Sequence, residues 1–482
     1  MTTLIEDVNV LDTRGNLTSV EVTSVDFDSR TVHRGSLFCC VPGEHTDGHA
    51  HAAEAVTGGA VSLLCEHFVD TDVPQARVAA GAIRPAMAVI ASSFYGHPSR
   101  AMTMVGVTGT NGKTTVTQLV GAILAEAGIA AGVVGTLDGA RTTPEAPVLQ
   151  SHLAALRADG MRAVAMEVSS HGLTQHRVDG IRFDVAAFTN LSRDHLDHHR
   201  TMEEYFEAKA MLFSPDRAKL AVVNVDDPWG RRLAARISEE RLLPVRGSDA
   251  SDLVLSVGSS SFRWRGHRLI IPLSGRFNVE NAVMAATIAS SLGVGDDQIR
   301  AGLAGVSPIP GRMEVIDSEH PFSVLVDFAH TPAGLDAALS SARDLAGVAR
   351  VICLFGCGGD RDQGKRSEMG GVGARWADAI VLTSDNPRGE DPNVIIEQVR
   401  SGIDAGGESG VEVLVEPDRR RAIALAVGLA RAGDVVVIAG KGHETTQVVG
   451  GQVLPFDDRQ VAKEALATAP ALDARRPDGS RS

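Results

Sequence analysis

Two rhythms of apolar residues run through this 482-residue chain. Short unbroken apolar runs bounded by turn residues read as buried strands. Apolar positions recurring every three or four residues read as helices with one face on a core. In residues 1–100, segments 36–41 and 61–65 read as strands, 51–56 and 85–95 as helices, and Gly96-His97-Pro98-Ser99 as a linker. The next block opens with an apolar strand (Met102, Met104, Val105, Val107) and a helix over 114–127 that Gly128 stops. Strands follow at 131–135, 163–168, 185–191 and 220–225, with helical spacing between several of them. Segment 253–273, where Phe262, Trp264 and Ile270 alternate with polar residues, predicts antiparallel strands attached to the same sheet.

Pro308-Ile309-Pro310-Gly311 punctuates the next boundary. Beyond it, strands at 324–327, 350–355, 379–383, 411–415 and 435–439 alternate with helices at 334–345, 394–403 and 420–430. Such alternation predicts an α/β protein with mostly parallel sheets. Three domains are expected: a small α/β domain over 1–100, a central P-loop-type domain over 101–311, and a Rossmann-like domain over 312–482. The last block has no Gly-x-Gly-x-x-Gly, so a dinucleotide is not implied. The tail after Ala469, rich in Pro, Arg, Asp and Ser, reads as mobile.

Composition narrows the function. A net charge of −14 argues against non-specific nucleic-acid binding, which needs a basic footprint. Cysteines 39, 40, 65, 353 and 357 show no Cys-x-x-Cys spacing, as expected in a reducing cytoplasm. Glu6 and Asp7 break any basic-then-apolar signal pattern, and no apolar run is long enough for a membrane span. The expectation is a cytoplasmic monomer with small-molecule partners and neither membrane nor nucleic acid.

Gly109-Thr110-Asn111-Gly112-Lys113-Thr114-Thr115 joins the central block's first strand to its helix. Glycines there let backbone N–H groups approach phosphate oxygens, Lys113 adds a mobile positive charge, and a hydroxyl from Thr114 or Thr115 reaches Mg²⁺. The strict Walker pattern wants glycine where Val107 stands, so this is a variant. The bland alternative is a glycine-rich turn that only caps a helix. Glu167, in Met166-Glu167-Val168-Ser169-Ser170-His171-Gly172, ends another strand, where ligands of open α/β sheets sit. Its carboxylate suits Mg²⁺, or else a surface ion pair.

Asp194-His195-Leu196-Asp197-His198-His199 follows a further strand end. Its spacing matches no standard zinc pattern, and adjacent histidines do not easily share one metal. One histidine beside a second Mg²⁺ is the preferred reading, with His198 and His199 in a solvated turn. Lys209 lies in a helix over 202–213, where its three- and four-residue neighbours are Tyr205, Phe206, Leu212 and Phe213. An inward lysine is driven towards the neutral amine, which can take up CO₂ as a carbamate and so offer oxygen to Mg²⁺. Periodicity alone favours a lysine that snorkels to water.

Three loops of the last block also follow strand ends: Gly356-Cys357-Gly358-Gly359-Asp360-Arg361, Asp385-Asn386-Pro387-Arg388 and Gly440-Lys441-Gly442-His443-Glu444. Two arginines and an acid at one sheet edge could hold a zwitterion, arginine gripping carboxylate with two prongs. Each loop alone also reads as a turn.

These motifs, with Thr189-Asn190-Leu191-Ser192-Arg193, Gly311-Arg312-Met313-Glu314 and Asp327-Phe328-Ala329-His330-Thr331, resemble in content and order the Mur ligases. The resemblance runs from Asp28-Ser29-Arg30 to Asp458-Arg459. It implies an acid–amino-acid ligase of cytoplasmic peptidoglycan precursor synthesis, serving cell-wall growth, shape and division. The third-block loops are similar to those of members adding the third stem-peptide residue. In them ATP phosphorylates the D-glutamate carboxylate of UDP-MurNAc-L-Ala-D-Glu, and the amine of meso-diaminopimelate attacks the acyl phosphate.

By the same resemblance, Thr108, Gly109, Thr110, Asn111, Gly112, Lys113, Thr114, Thr115, Asn281, Arg312, Asp327 and His330 serve ATP. Thr114 and Glu167 hold one Mg²⁺; His195 and carbamylated Lys209 hold another. The nucleotide-sugar dipeptide maps to Phe27, Ser29, Glu44, His45, Thr46, Thr142, Thr143, Ser169, Gln175 and Arg177. The amino acid maps to Arg361, Asp385, Asn386, Pro387, Arg388, Gly440 and Glu444. Members taking L-lysine lack the arginine of Asp-Asn-Pro-Arg, and a guanidinium left without its carboxylate is costly, so Arg388 favours diaminopimelate. Phe328, where tyrosine is usual, and Arg141, where an apolar or amide residue is usual, depart from the family pattern. The rivals are an L-lysine ligase, a folate polyglutamylating enzyme, an ATP-driven switch and a catalytically silent binding protein.

Overall fold

The computed structural model describes residues 1–43, 46–139, 141–405 and 410–469. Three α/β domains are strung along the chain, each with its own sheet. The tail expected to be mobile lies outside the described residues, as do Glu44 and His45.

The first domain carries a five-stranded sheet. Ser24–Asp26, Ser36–Cys39, Ala60–Cys65 and Gln75–Arg77 run parallel, with Asp12–Arg14 antiparallel at the edge. Helices Ala52–Gly58 and Ile83–Phe94 fall where the periodicity placed them, and the expected linker contributes to a short 3₁₀ turn, Pro98–Ala101.

The central sheet is six-stranded and wholly parallel. Thr103–Thr108 lies between Ala163–Glu167 and Phe183–Phe188, so the three strands whose ends carry the phosphate loop, Glu167 and the 189–199 loop are adjacent. Their residues are buried almost throughout, as expected of strands covered on both faces.

One expectation fails here. Strands Ala250–Ser256, Ser259–Trp264 and His267–Ile271 form a separate antiparallel sheet rather than an extension of the parallel one. Phe262, Trp264, Leu269 and Ile271 share a core with helices Lys113–Glu126 and Arg276–Ser291. Alternation reports a half-buried strand, but not which sheet it joins. The helix expected over 202–213 is α-helical only for Met202–Ala210, then tightens to 3₁₀ over Met211–Phe213.

The third domain has a six-stranded sheet, parallel except for the short edge strand Glu314–Val315. Ser323–Asp327, Val351–Phe355, Ala379–Leu382 and Val435–Ala439 send their carboxyl ends to the edge that carries the three glycine- and charge-bearing loops. A buried ion pair braces that edge. Arg419 donates to both carboxylate oxygens of Asp458 (2.8 and 2.7 Å) and to the carbonyls of Ser384 and Ala439, with both charged side chains fully enclosed.

Candidate active site

The phosphate loop is shaped by close approach. Gly109 has φ +146°, and a Cβ there would fall 1.8 Å from Thr189 Oγ1; at Gly112 (φ +88°) it would fall 2.5 Å from Asn281 Oδ1. Both positions therefore demand glycine. Thr189 donates to the Asn111 carbonyl (2.6 Å) and Asn190 Oδ1 accepts from Asn111 N–H (3.0 Å), tying the loop to the neighbouring strand end. Lys113 opens the following helix, and its ammonium donates to the carbonyls of Gly109 (3.0 Å) and Thr110 (2.9 Å). A helix N-terminus with a cation on the loop is an anion site.

Thr114 and Glu167 meet as expected, the Thr114 hydroxyl donating to Glu167 Oε1 at 3.0 Å. Thr136 donates to the same carboxylate through its N–H (2.8 Å) and its hydroxyl (3.2 Å). Arg312, from beyond the Pro-rich boundary, donates to Thr114 Oγ1 at 2.9 Å. Its guanidinium lies 4.7 Å from the Phe328 ring centre, and burial lowers its pKa. Arg312 Nε is buried and finds no hydrogen-bond partner among the described residues, as fits a group that meets an anionic ligand. A cavity of ≈ 260 Å³ opens beside the loop, lined among others by Asn111, Gly112, Thr115, Asn281, Arg312 and Asp327. Asp327 does more than line it: its carboxylate accepts the N–H groups of Met313 (2.7 Å) and Ala329 (2.9 Å), and burial raises its pKa.

Lys209 does not snorkel. It is 1% exposed, its Nζ donates to the Gly109 carbonyl at 2.8 Å, and it sits 4.6 Å from the Tyr205 ring centre. Burial first, then the Lys113 charge, drives its pKa far down, towards the neutral amine. His195 stands in the left-handed region (φ 54°), with Nε2 3.3 Å from Asp194 Oδ2. Burial, assisted by Lys209 and Lys113 and opposed by Asp194, lowers the His195 pKa. Burial raises that of Asp194, but His330, His195 and Lys365 outweigh it and keep the carboxylate ionised.

The donor set fits a hard cation in part. A threonine hydroxyl and a carboxylate at the phosphate loop are the oxygen ligands that Mg²⁺ prefers. The unmodified Lys209 amine is not such a ligand and becomes one only as a carbamate. The histidines depart from expectation. His199 is not in a solvated turn: it is 4% exposed, and its Nε2 is 2.8 Å from Ser170 Oγ.

A second cavity, of ≈ 450 Å³, brings together residues far apart in sequence. Its walls include Thr142, Thr143, Ser169, Arg177 and His195 from the central domain and His330, Arg361, Asp385, Asn386, Arg388, Gly440 and Glu444 from the third. Asn386 donates to Glu444 Oε2 (3.0 Å), and buried Lys441 donates to the same oxygen (2.8 Å). Arg388, at φ 52°, donates through Nη1 to the carbonyls of Gly359 (2.7 Å) and Asn386 (3.4 Å). Pro387 turns the loop without lining the cavity. Arg361 points across to the central domain, its Nη1 3.2 Å from Asp197 Oδ2.

On the first domain's side, Phe27, Ser29 and Thr46 line a cavity of ≈ 530 Å³ with Arg84, Arg141 and Glu145. Ser29 donates to Glu54 (2.8 Å), and Thr46 Oγ1 is 2.8 Å from His51 Nε2. Arg141 lines both this cavity and the second one, so the departure from the family pattern stands at their junction. Glu145 gathers Arg84 (3.3 Å), Arg141 (2.7 Å) and Arg177 (2.9 Å), leaving a local excess of positive charge. Gln175 accepts from Arg177 Nη2 at 2.6 Å. The sequence did not point to Asp194, Arg84 and Glu145 as members of these walls, nor to Lys441 as the buried partner of Glu444 behind them. Asp194 and Lys441 lay inside motifs already singled out, whereas nothing local marks Arg84 or Glu145.

Three segments match Mur ligase families: residues 21–95 the catalytic domain of the Mur ligase family, 107–289 the Mur ligase middle domain, and 311–442 the Mur ligase glutamate ligase domain. The chain belongs to the Mur ligase family. A relative from Syntrophomonas wolfei subsp. wolfei is 43% identical over 470 residues, spanning 92% of this chain and 95% of its own. One from Geobacillus kaustophilus is 42% identical over 477 residues, with the same 92% and 95% coverage. Both are named UDP-N-acetylmuramoyl-L-alanyl-D-glutamate–2,6-diaminopimelate ligase. A solved structure of a ligase of that name is 32% identical and superposes with a TM-score of 0.62 over 92% of this chain and 95% of the other. The MurF ligase from Thermotoga maritima in complex with ADP shares the fold at 19% identity (TM-score 0.65; 92% and 96% covered). Among the described residues no helix is long and apolar enough to cross a membrane.

Proposed function

We propose that the chain joins meso-diaminopimelate to the D-glutamate of UDP-MurNAc-L-Ala-D-Glu at the expense of ATP, with domains over 1–100, 101–311 and 312–482. The observation that carries this reading is the ≈ 450 Å³ cavity, where the Arg361, Asp385, Asn386 and Arg388 loops face the central-domain wall that carries Thr143, Ser169, Arg177 and His195. The D-glutamate carboxylate takes the γ-phosphoryl group of ATP. The amine then attacks the acyl phosphate, forming an amide and releasing phosphate and a proton.

Each part of the site has a task in this sequence. The loop N–H groups and Lys113 hold the phosphates, and Arg312 adds positive charge where it develops in the transition state. Thr114 and Glu167, with His195 and Lys209 once carbamylated, are the groups that would hold Mg²⁺. When bound, Mg²⁺ neutralises phosphate charge. Asp194, 3.3 Å from His195 Nε2, fixes the imidazole. Arg388 grips the distal carboxylate of the amino acid, and Glu444 with Asn386 accepts its distal ammonium. Arg177 and the arginines around Glu145 hold the anionic nucleotide-sugar. All five cysteines are free and buried, which supports action in a reducing cytoplasm.

The test is phosphate release with UDP-MurNAc-L-Ala-D-Glu, ATP, Mg²⁺ and a panel of diamino acids. Release that requires meso-diaminopimelate, with a tripeptide product by mass, is expected. Equal coupling of L-lysine would refute the specificity, and ATP turnover without an amide product would refute the ligase.

A further inference from the structure

A cluster of imidazoles stands beside this site without a part in the chemistry above. His171 lies on the short helix Ser170–Thr174, and His198 and His199 lie in the turn before Met202–Ala210. The turn is wound so that the N–H groups of both His198 and His199 reach the His195 carbonyl (3.1 and 2.8 Å). This brings two adjacent side chains round to one partner. The His171 and His198 rings stack at 3.8 Å between centroids, His198 and His199 meet edge-on at 4.7 Å, and His171 and His199 at 5.5 Å. One ring nitrogen from each lies within 4.8 Å of the other two.

We propose that His171, His198 and His199 form a binding site for a divalent transition metal of the zinc class, built from different donors than the Thr114–Glu167 site. Three imidazoles are borderline ligands that suit zinc, cobalt, nickel or copper, whereas Mg²⁺ selects oxygen. Metal–nitrogen bonds of about 2.0–2.1 Å in a tetrahedron place nitrogens about 3.3 Å apart, so the rings close in by about 1 Å or somewhat more. The Ser170 hydroxyl, 2.8 Å from His199 Nε2, fixes that ring, an outer partner of the kind that orients ligating histidines. His171 also lines the ≈ 450 Å³ cavity, from which water can supply a fourth ligand. An ion here would tie His171 to the turn that carries Asp194 and His195. This inference does not depend on which amino acid the ligase takes.

The experiment titrates Co²⁺ into the metal-stripped full-length protein with Mg²⁺ in excess to occupy oxygen sites. The expected result is one equivalent of Co²⁺ giving a saturable visible absorption of tetrahedral type, displaced by Zn²⁺. Half-buried His198→Gln and His171→Gln are each expected to weaken binding at least about 100-fold, since losing an outer partner alone costs 10–100-fold. Circular dichroism confirms that each variant is folded. Absence of a saturable band, or an unchanged midpoint in either folded variant, overturns the proposal.

Discussion

Replacing Arg388 by alanine tests the distal-carboxylate clamp proposed above. Arg388 Nη1 is engaged by the carbonyls of Gly359 and Asn386, while Nε and Nη2 make no hydrogen bond among the described residues. That free edge is the one that grips a carboxylate with two parallel bonds. The backbone at 388 is left-handed (φ 52°), but alanine carries the same Cβ as arginine and adds no strain there. Hydrogen bonds to charged groups contribute about 1.5–3 kcal/mol, and 1.36 kcal/mol is tenfold, so kcat/KM for meso-diaminopimelate should fall about 10- to 150-fold. Arg388→Lys keeps the charge and loses the fork, and should recover only part of this. Steady-state phosphate release with each substrate varied in turn makes the measurement. KM for ATP should stay within about twofold, because Arg388 lines the ≈ 450 Å³ cavity and not the one beside the phosphate loop. Equal losses toward ATP and diaminopimelate would refute the reasoning and make the loop a folding element.

Lys209→Ala should cut turnover by about 10² or more, as removal of a preorganised electrostatic group does, with partial rescue by a short carboxylic acid; unchanged turnover would remove the carbamate from the mechanism. Asp458→Asn leaves the Arg419 charge fully buried without its partner and should cost about 3–5 kcal/mol in urea unfolding, a loss under 1 kcal/mol counting against the brace. Glu390 is held at about 2, first by its hydrogen bonds from Arg366, against an ordinary 4.5. Its folded pKa is depressed, so the stabilisation is present above pH 4.5 and is lost as pH falls towards about 2. Thermal melts of Glu390→Gln should therefore show a shallower fall across that window than the parent, and parallel curves would contradict this.

The central phosphate loop was legible because its determinants are local: glycines at fixed spacing, a lysine, and a strand before a helix. Lys209 was half legible. Its wheel neighbours were apolar, yet only the fold puts the Gly109 carbonyl 2.8 Å from its amine. Helix Gly364–Trp376 went unread because Gly364, Gly370, Gly371 and Gly373 argue against a helix on propensity. Where this helix packs on helix Pro392–Ala405, one glycine on each is there for close approach. A Cβ at Gly370 would fall 2.0 Å from the Val399 carbonyl, and one at Gly402 1.8 Å from that of Ser367, so the two helices pack backbone to backbone. The arginines around Glu145 were invisible for a different reason, since Arg84 reaches it across the domain boundary and only tertiary packing joins them.

Arg312 donates to Thr114 Oγ1 across a span of 198 residues, and Arg193 of the central domain pairs with Asp362 of the third. Swinging the two bodies apart would break both links together. A nucleotide held by the glycine loop alone would then lack the guanidinium that faces it from the other side. On the proposed function, hydrolysis wasted on water would be discouraged by construction, because the Arg312 guanidinium meets the glycine loop in the same posture that sets the third domain's loops against the central domain.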